Sequence, residues 1–396
     1  MRFMVTGGAG FIGSHLIRLL IDKGHEVVIY DNLSTGKLSN IPDSALITFI
    51  QGDIRDMPQV EKAMVDCDIV IHLAALVSVT KSVEHPDESK SHNIDGLFTV
   101  LEAARNNPNR IKKFVLASSA AVYGSPAHIP IKETEQVEPL SPYGLEKLVD
   151  ELYLRLYSSL YQLPGLALRF FNVYGERQDP KSPYSGVISI FTDKRKNHQP
   201  LTVFGDGHQT RDFIYVGQLV SCIYELAISP EEGIYNVGTG KSTSINALIE
   251  TLDAILGTSG LPIEHKPPRP GDIKESVADI SQLASRISLN QVPLEEGLQR
   301  MLAGLEQGKV NNMRLNSQFL THYLSILSKP IARCVGFNIL CAAFWFNVKQ
   351  PKAQTSIPQL AALILQMSML GYVYLWPQCN GAINTTTKSG ELTFST

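Results

Sequence analysis

Short apolar runs alternate with stretches of helical periodicity along residues 1–305. Residues 3–5 form the first run, and Leu16, Leu19 and Leu20 recur at helical spacing after it. Further strands are predicted at 26–30, 47–51, 68–73, 113–117, 214–216 and 235–237, and further helices at 93–106 and from Ser141 toward Tyr161. This alternation predicts an α/β fold with a doubly wound parallel sheet.

Three glycines, Gly7, Gly10 and Gly13, lie where the first strand turns into the first helix. Such a turn leaves backbone N–H groups and the positive end of a helix dipole facing a bound diphosphate. The motif therefore predicts a phosphate-binding turn of a dinucleotide fold. An ordinary glycine-rich turn between a strand and a helix is the alternative.

Asp31 ends the second predicted strand, about 20 residues after the glycine turn. Dinucleotide folds use an acidic residue at this point to bind the adenosine ribose and to repel a 2′-phosphate. Asp31 thus favours NAD over NADP. A turn-forming aspartate before Asn32 is the alternative.

Tyr143 and Lys147 are four residues apart and share one face of the predicted helix. A lysine ammonium beside a tyrosine stabilises the phenolate, so the pair suits acid–base chemistry at neutral pH. A surface tyrosine next to a lysine is the alternative. His72, in the fourth predicted strand, is expected to be a packed strand residue rather than a base.

Composition excludes some partners and places the chain in a reducing compartment. The 396 residues carry a net charge of -3 and no basic run, which argues against nucleic acid as a main partner. The five cysteines have no CxxC spacing, and no metal site is predicted. The sequence enters its first strand without a signal peptide, so a cytoplasmic location is expected.

Residues 1–305 resemble the extended short-chain dehydrogenase/reductase family, and within it the NAD-dependent nucleotide-sugar epimerases of the UDP-glucose 4-epimerase type. The motifs that carry the resemblance are 6–13 (TGGAGFIG), 31–32 (DN), 52–53 (GD), 72–75 (HLAA), 118–124 (SSAAVYG), Tyr143 with Lys147, 169–175 (RFFNVYG), 210–213 (TRDF), 235–238 (YNVG) and 269–272 (RPGD). The resemblance implies a Rossmann-like NAD-binding domain at 1–171 and a smaller α/β nucleotide-sugar-binding domain at 172–305, with some segments returning to the first sheet.

The resemblance also implies which residues bind NAD. These are Gly7, Gly10, Phe11, Ile12, Gly13, Asp31, Asn32, Asp53, Ile54, Leu73, Ala74, Ala75, Asn93, Tyr143 and Lys147. In such enzymes the cofactor stays bound because it takes a hydride from the substrate and returns it. Homodimers are usual among these relatives, and a homodimer is expected here.

In the family, a serine, a tyrosine and a lysine act on C4 of the sugar. By resemblance, Ser119 binds the 4-oxygen, Tyr143 removes and returns its proton, and Lys147 holds the nicotinamide ribose. A 4-keto sugar forms, turns within the site and is reduced on its other face, so that C4 is inverted. The residues implied to bind the UDP-sugar are Ser119, Asn172, Arg211, Arg269, Asp272 and Ser276.

Ala120 and Ala121 distinguish this sequence from related dehydratases, which carry an Asp-Glu pair at these positions. Methyl groups cannot transfer protons, so oxidation and re-reduction are favoured over loss of water. The alternatives left open are a nucleotide-sugar 4,6-dehydratase, another extended short-chain dehydrogenase, and a catalytically silent NAD-binding protein.

Ser276 bears on the choice of sugar. The family has a pocket position where tyrosine excludes N-acetylated sugars and a small residue admits them, and by resemblance Ser276 stands there. The hypothesis is that the substrates are UDP-GlcNAc and UDP-GalNAc, alone or alongside UDP-Glc and UDP-Gal. A loop residue without this role is the alternative.

Residues 306–396 match no family motif and are an extension of unknown fold, partly hydrophobic. Residues 357–376 are uncharged and about long enough to cross a bilayer, which indicates membrane association of the tail. Gln359, Gln366 and Ser368 interrupt this segment and weigh against that interpretation. A tail irrelevant to catalysis is the favoured interpretation, and membrane association is the alternative.

Overall fold

In the computed structural model, which describes residues 1–107, 111–180, 186–268 and 273–305, seven parallel strands form one sheet. The strands of the described residues are β1 Arg2–Thr6, β2 Glu26–Asp31, β3 Ile47–Gln51, β4 Ile69–His72, β5 Lys113–Ser119, β6 Gly165–Phe170, β7 Asn172–Tyr174, β8 Leu201–Phe204, β9 Thr210–Arg211, β10 Phe213–Tyr215, β11 Gly233–Val237, β12 Thr243–Ser244, β13 Ile263–Lys266 and β14 Glu275–Ser276. The order in the main sheet is β11-β6-β5-β4-β1-β2-β3. Strand order reverses between β1 and β4, as in dinucleotide-binding folds, so the predicted fold class is confirmed.

Helices cover both faces of this sheet. Their bounds are α1 Phe11–Asp22, α2 Met57–Met64, α3 Val79–Glu84, α4 Pro86–Lys90, α5 Gly96–Asn106, α6 Pro142–Tyr161, α7 Val187–Lys196, α8 Val216–Ile228, α9 Ile245–Leu256 and α10 Ser281–Ala284. Side chains alternate across β1, so that Phe3 and Val5 pack with α1 and α8 on one face, while Met4 packs with α2 and α5 on the other. The sheet is therefore packed between two apolar cores, one on each face.

The predicted elements agree closely with the observed ones, with two informative differences. Strand β5 extends two residues beyond the predicted 113–117, because its pairing with β6 continues to Ser119 and Phe170. The helix predicted at 93–106 begins with a π-helical turn, Ser91–Asp95, before α5. Both differences lie beside the cavity described below.

After β6 the chain forms smaller sheets and also returns to the main one. Strand β10 pairs with β7, β13 with β8, and β9 lies between β12 and β14, whereas β11 joins the edge of the main sheet beside β6. The described residues belong to a single compact unit, 1–306. A division of this unit at 171/172 stays a prediction.

The predicted extension, 306–396, lies outside the described residues, and so does its uncharged segment at 357–376. Within the described ranges, no helix combines the length and the apolar character that crossing a membrane requires.

Candidate active site

A cavity of about 950 Å³ lies at the carboxyl ends of the main-sheet strands. The residues predicted to bind NAD that line it are Gly7, Gly10, Phe11, Ile12, Gly13, Asp31, Asn32, Ile54, Leu73, Ala74, Ala75, Tyr143 and Lys147. Ser119 and Asn172, predicted to bind the sugar nucleotide, line the same cavity. The structure therefore brings the predicted cofactor site and the predicted reacting residues together.

Six predicted site residues are not among those lining this cavity. Asp53, Asn93, Arg211 and Ser276 lie elsewhere in the described structure, and Arg269 and Asp272 lie outside the described residues. The roles predicted for these six residues stay predictions.

The glycine turn has no room for side chains. Gly7 has φ +70°, and a Cβ atom on it would come 2.8 Å from the backbone nitrogen of Ala74, at the end of the neighbouring strand. Gly10 caps α1 without a side-chain hydrogen bond, so the first N–H groups of the helix face the cavity unshielded. This bare backbone fits the diphosphate of a dinucleotide.

Asp31 ties the end of β2 to the glycine turn. Its Oδ2 accepts a hydrogen bond from the Ala9 backbone N–H at 2.9 Å, and its Oδ1 accepts one from Leu33 at 2.8 Å. Burial raises the pKa of this carboxyl above its ordinary value. Carboxylate oxygens accept more than one bond each, so Asp31 remains able to bind ribose hydroxyls on the cavity side.

Asp53 is engaged by a neighbour rather than directed into the cavity. Its two oxygens accept from Arg55 Nε at 2.9 Å and Nη2 at 2.7 Å. These bonds to Arg55 lower the pKa of Asp53 to about 2. Gly52 and Ile54, on either side of it, do line the cavity.

Asn93 joins the loop after β4 to helix α6. Its Oδ1 accepts from the Leu76 backbone N–H at 2.7 Å, and its Nδ2 donates to Glu146 Oε2 at 2.6 Å. Ser89 Oγ donates to the same Glu146 oxygen at 2.7 Å. The π-helical turn places Asn93 behind the cavity wall, where it fixes the loop and α6 relative to each other. The sequence did not single out Glu146.

The two serines at the end of β5 face opposite sides of the sheet. Both line the cavity at the carboxyl edge of the sheet, where the Ser119 Oγ accepts from the Ala121 N–H at 3.2 Å. Ser118 is buried and donates to Glu151 Oε1 at 2.5 Å, and Glu151 in turn binds Arg169 through both oxygens, at 2.9 and 2.7 Å. The buried ion pair thus anchors the strand that presents Ser119.

Helix α6 presents Tyr143 in its first turn. Ser141 caps the helix by accepting from the Gly144 N–H at 3.1 Å, and Pro142 occupies the first turn. The Tyr143 N–H donates to Ser82 Oγ at 3.1 Å, which ties the start of α6 to α3. Tyr143 and Lys147, one turn apart, both line the cavity, as their spacing predicted.

Lys147 lies in an ion pair that the sequence analysis did not identify. Its Nζ is 3.2 Å from Asp150 Oδ2, and the two side chains are 3% and 1% exposed. Burial acts to lower the pKa of Lys147, but the Asp150 carboxylate and Tyr143 outweigh it, so the pKa is raised. Burial raises the pKa of Asp150 to about 6, against the opposing effect of Lys147.

His72 is a packed strand residue, as expected. It is 1% exposed, and its Nδ1 lies 2.9 Å from Thr6 Oγ1. Burial, and then the charge of Lys147, lower the pKa of His72 to about 3. The imidazole is therefore neutral near pH 7, and it is not among the residues that line the cavity.

Arg177 lines the cavity and was missed by the sequence analysis. Its backbone has φ +66°, and its Nε donates to Ser14 Oγ, in the first turn of α1, at 2.8 Å. Among the described residues, its buried Nη2 has no hydrogen-bond partner. Its position two residues after the 169–175 motif was the available signal, but local spacing does not show that this side chain reaches α1.

Arg211 and Ser276 lie opposite each other in the paired strands β9 and β14. Arg211 Nη1 donates to the backbone oxygens of Thr210 at 2.8 Å and Ile273 at 2.7 Å, and Ser276 is buried. The structure thus brings together two residues predicted to bind substrate. It places them beside the segment that follows 269–272 rather than on the wall of the main cavity.

Comparisons with known proteins show the family to which the chain belongs. The model of the NAD dependent epimerase/dehydratase family matches residues 3–238. A putative UDP-glucose 4-epimerase of Methanocaldococcus jannaschii is 44% identical over 301 residues, which cover 76% of this chain and 96% of the relative. The solved UDP-N-acetylglucosamine 4-epimerase of Methanobrevibacter ruminantium, in complex with UDP-N-acetylmuramic acid, is 41% identical with a TM-score of 0.74, covering 78% of this chain and 98% of that one. The Thermus thermophilus UDP-glucose 4-epimerase in complex with NAD is 36% identical with a TM-score of 0.72, covering 77% and 99%.

Proposed function

The chain belongs to the NAD dependent epimerase/dehydratase family, and from this premise we propose that it inverts C4 of a UDP-hexose with NAD as a resident cofactor. The observation that carries the proposal is one cavity lined by the glycine turn, Asp31, Ser119, Tyr143 and Lys147. A binding protein without activity would have no need for the last three residues on the wall that a dinucleotide occupies.

The residues around the glycine turn would hold NAD. Backbone N–H groups at the start of α1 would bind the diphosphate, and Asp31 would bind the adenosine ribose and disfavour a 2′-phosphate. NAD would supply an acceptor for the hydride of C4 and give it back in the second half of the reaction. Because the cofactor is regenerated in each turnover, the enzyme needs no exchange of NAD with solution.

Three side chains would carry the proton chemistry. Ser119 would hydrogen-bond the 4-oxygen, and Tyr143 would take the hydroxyl proton and later return it. Lys147, kept protonated in its ion pair with Asp150, would stabilise the phenolate of Tyr143 and bind the nicotinamide ribose.

The residues after Ser119 favour epimerisation over elimination. Ala120 and Ala121 form a short 3₁₀ turn directly after β5, and neither can donate or accept a proton. A 4,6-dehydratase needs an additional acid and base to expel water. The chain therefore supports oxidation and re-reduction at one carbon.

For the sugar, we propose that N-acetylated substrates are accepted. A tyrosine at position 276 would exclude these sugars, whereas the small Ser276 leaves room for them. The proposed substrates are therefore UDP-GlcNAc and UDP-GalNAc, alone or alongside UDP-Glc and UDP-Gal. The similarity to a UDP-N-acetylglucosamine 4-epimerase supports the same choice.

We further propose that the enzyme is a homodimer. Helices α5 and α6 leave large apolar side chains exposed on their outer faces, among them Phe98, Leu152, Leu156 and Leu160, which are 44–61% exposed. A second copy of the same face would cover them. Light scattering of the purified protein should give the mass of two chains, and Leu156→Lys combined with Leu160→Lys should give that of one.

The activity is tested by product analysis without added cofactor. Purified protein is incubated separately with UDP-Glc, UDP-GlcNAc and UDP-GlcA, and the products are identified by NMR. Inversion at C4 with no added NAD would support the proposal. Loss of water, or turnover only when reduced cofactor is added and consumed, would show a dehydratase or a reductase instead. If no UDP-hexose is turned over, the protein would instead be a catalytically silent NAD-binding protein.

A further inference from the structure

The inner face of α6 carries a carboxylate directly behind Lys147. Asp150 lies three residues after Lys147, its Oδ2 is 3.2 Å from the Lys147 Nζ, and its side chain is 1% exposed. Among the described residues, Lys147 is the one hydrogen-bond partner of Asp150, and its Oδ1 has none. Burying a carboxylate with so few partners is costly, and the attraction of Lys147 is what offsets the cost here.

The other carboxylates around the pair have hydrogen-bond partners of their own. Glu146 accepts from Asn93 and Ser89, and Glu151 is paired with Arg169. His72, in β4, is buried and neutral, because burial lowers its pKa to about 3. Tyr143 lies one helical turn before Lys147 and lines the same cavity. Asp150 is the carboxylate that contacts the Lys147 ammonium directly.

We propose that Asp150 is a positioning residue: it holds the buried Lys147 ammonium in place and keeps it protonated. The proposal rests on the proposed function, because it assigns a partner to a residue of the same reaction. Its basis is the geometry of the pair, one short contact between two fully buried and oppositely charged side chains.

The proposal has a measurable consequence at alkaline pH. Burial alone disfavours a lysine ammonium, and removing the neighbouring carboxylate leaves that effect unopposed. The Lys147 amine of Asp150→Asn should lose its proton at lower pH. The phenolate of Tyr143 then loses its stabilising charge, so the alkaline limb of kcat/KM should move down by about one pH unit or more.

The test compares pH profiles of kcat/KM for the wild-type enzyme, Asp150→Asn and Asp253→Asn. Asp253 forms another buried ion pair, with Arg195 at 2.7 Å, which belongs to α7 and α9 and does not line the cavity. Both variants lose a buried carboxylate and should unfold at lower temperature, but only Asp150→Asn should shift the alkaline limb. An unshifted limb in Asp150→Asn, or the same shift in both variants, would overturn the proposal.

A second measurement does not depend on turnover or on Asp150→Asn being folded. In wild-type protein with isotope-labelled lysine side chains, NMR should show the Lys147 amine protonated up to at least pH 10.5, its signal being identified by its loss in Lys147→Arg. A Lys147 that loses its proton well below that pH would overturn the role of Asp150. If the wild-type protein turns over no UDP-hexose, the proposed function fails, while the NMR titration still decides this inference.

Discussion

Gly13 and Gly7 approach so closely that a Cβ atom on Gly13 would lie 2.4 Å from the Gly7 carbonyl oxygen. The contact is between backbone atoms, so no flexible side chain can move to make room. The first turn of α1 therefore packs directly on the glycine turn, and the third glycine of the motif is required by the structure whether or not a cofactor is bound.

Gly13→Ala should destabilise the protein and abolish NAD binding. Displacing α1 from the turn costs about 1–3 kcal/mol in free energy of unfolding, and it moves the N–H groups that would bind the diphosphate. Chemical denaturation and calorimetric titration with NAD would measure the two effects. Gly257→Ala is the control, because Gly257 has φ +66° but no atom within 4 Å of the added Cβ: it should cost about 1 kcal/mol without changing NAD affinity. Unchanged NAD binding in Gly13→Ala would contradict this account.

Local spacing explains why the glycine turn, Asp31 and the Tyr143–Lys147 pair could be predicted from the sequence. Each depends on residues within one strand, turn or helix, and the sheet then brings their ends to one edge. Asp150 is also local, three residues after Lys147, but its significance depends on burial that spacing does not reveal.

Other features depend on contacts between distant parts of the chain. Asn93 meets Glu146, and Arg177 meets Ser14, across separations that no local pattern encodes. The ion pair of Asp53 with Arg55 could have been suspected from their separation of two residues. That it directs the carboxylate away from the cavity is visible only in three dimensions.

Tyr143→Phe should lower kcat by about 10²–10⁴-fold, because it removes the group proposed to transfer the proton while leaving the ring in place. The NAD content of the purified variant should match that of the wild type. Tyr161→Phe, at the exposed far end of the same helix, is the matched control and should keep wild-type turnover. A Tyr143→Phe enzyme with more than a tenth of wild-type kcat would exclude this residue as the main acid–base group.

Asp31→Asn should shift cofactor preference from NAD toward NADP. The variant keeps one acceptor oxygen for the bonds from Ala9 or Leu33 but loses the negative charge that repels a 2′-phosphate. The ratio of the two dissociation constants should change by about tenfold or more, equivalent to about 1.4 kcal/mol. Calorimetric titration with each cofactor measures this ratio. Equal weakening of the affinities for NAD and NADP would mean that Asp31 only stabilises the glycine turn.

Ser276→Tyr should abolish turnover of UDP-GlcNAc and UDP-GalNAc while sparing UDP-Glc and UDP-Gal. The substituted side chain is much larger, and Ser276 is buried beside Arg211, so the added ring must occupy space next to a predicted substrate residue. Ser285→Tyr, at an exposed position after α10, controls for an added tyrosine in this region. Equal loss of activity on all four sugars would contradict the predicted role.

His72 should make the protein less stable as the pH falls. Its pKa is about 3 in the folded protein, against 6.5 for an unperturbed histidine, so the unfolded chain binds the additional proton between these values. The contribution of His72 to the free energy of unfolding is complete above pH 6.5 and is lost as the pH falls toward 3. Asp150 acts in the opposite direction, because its folded pKa of about 6 is raised, so its contribution is present at low pH and is lost as the pH rises through 6.

Replacing His72 by Asn should therefore flatten the dependence of unfolding free energy on pH between 4 and 6, by about 1.4 kcal/mol per pH unit. Denaturation at several pH values measures this slope. His128→Asn, at an exposed position, should leave it as in the wild type. An unchanged slope in His72→Asn would show that the imidazole is protonated in the folded state.

The two serines at the end of β5 set a limit on how this sequence can change. Ser119 faces the cavity and Ser118 the buried Glu151 because successive side chains in a strand point to opposite faces. Deleting one residue within Lys113–Ser119 would move Ser119 to the place of Ser118 and Ala120 to that of Ser119, so the Glu151–Arg169 pair would keep a serine while the cavity would lose its hydroxyl. The number of residues in the strand therefore matters to the site as much as the identity of its last serine.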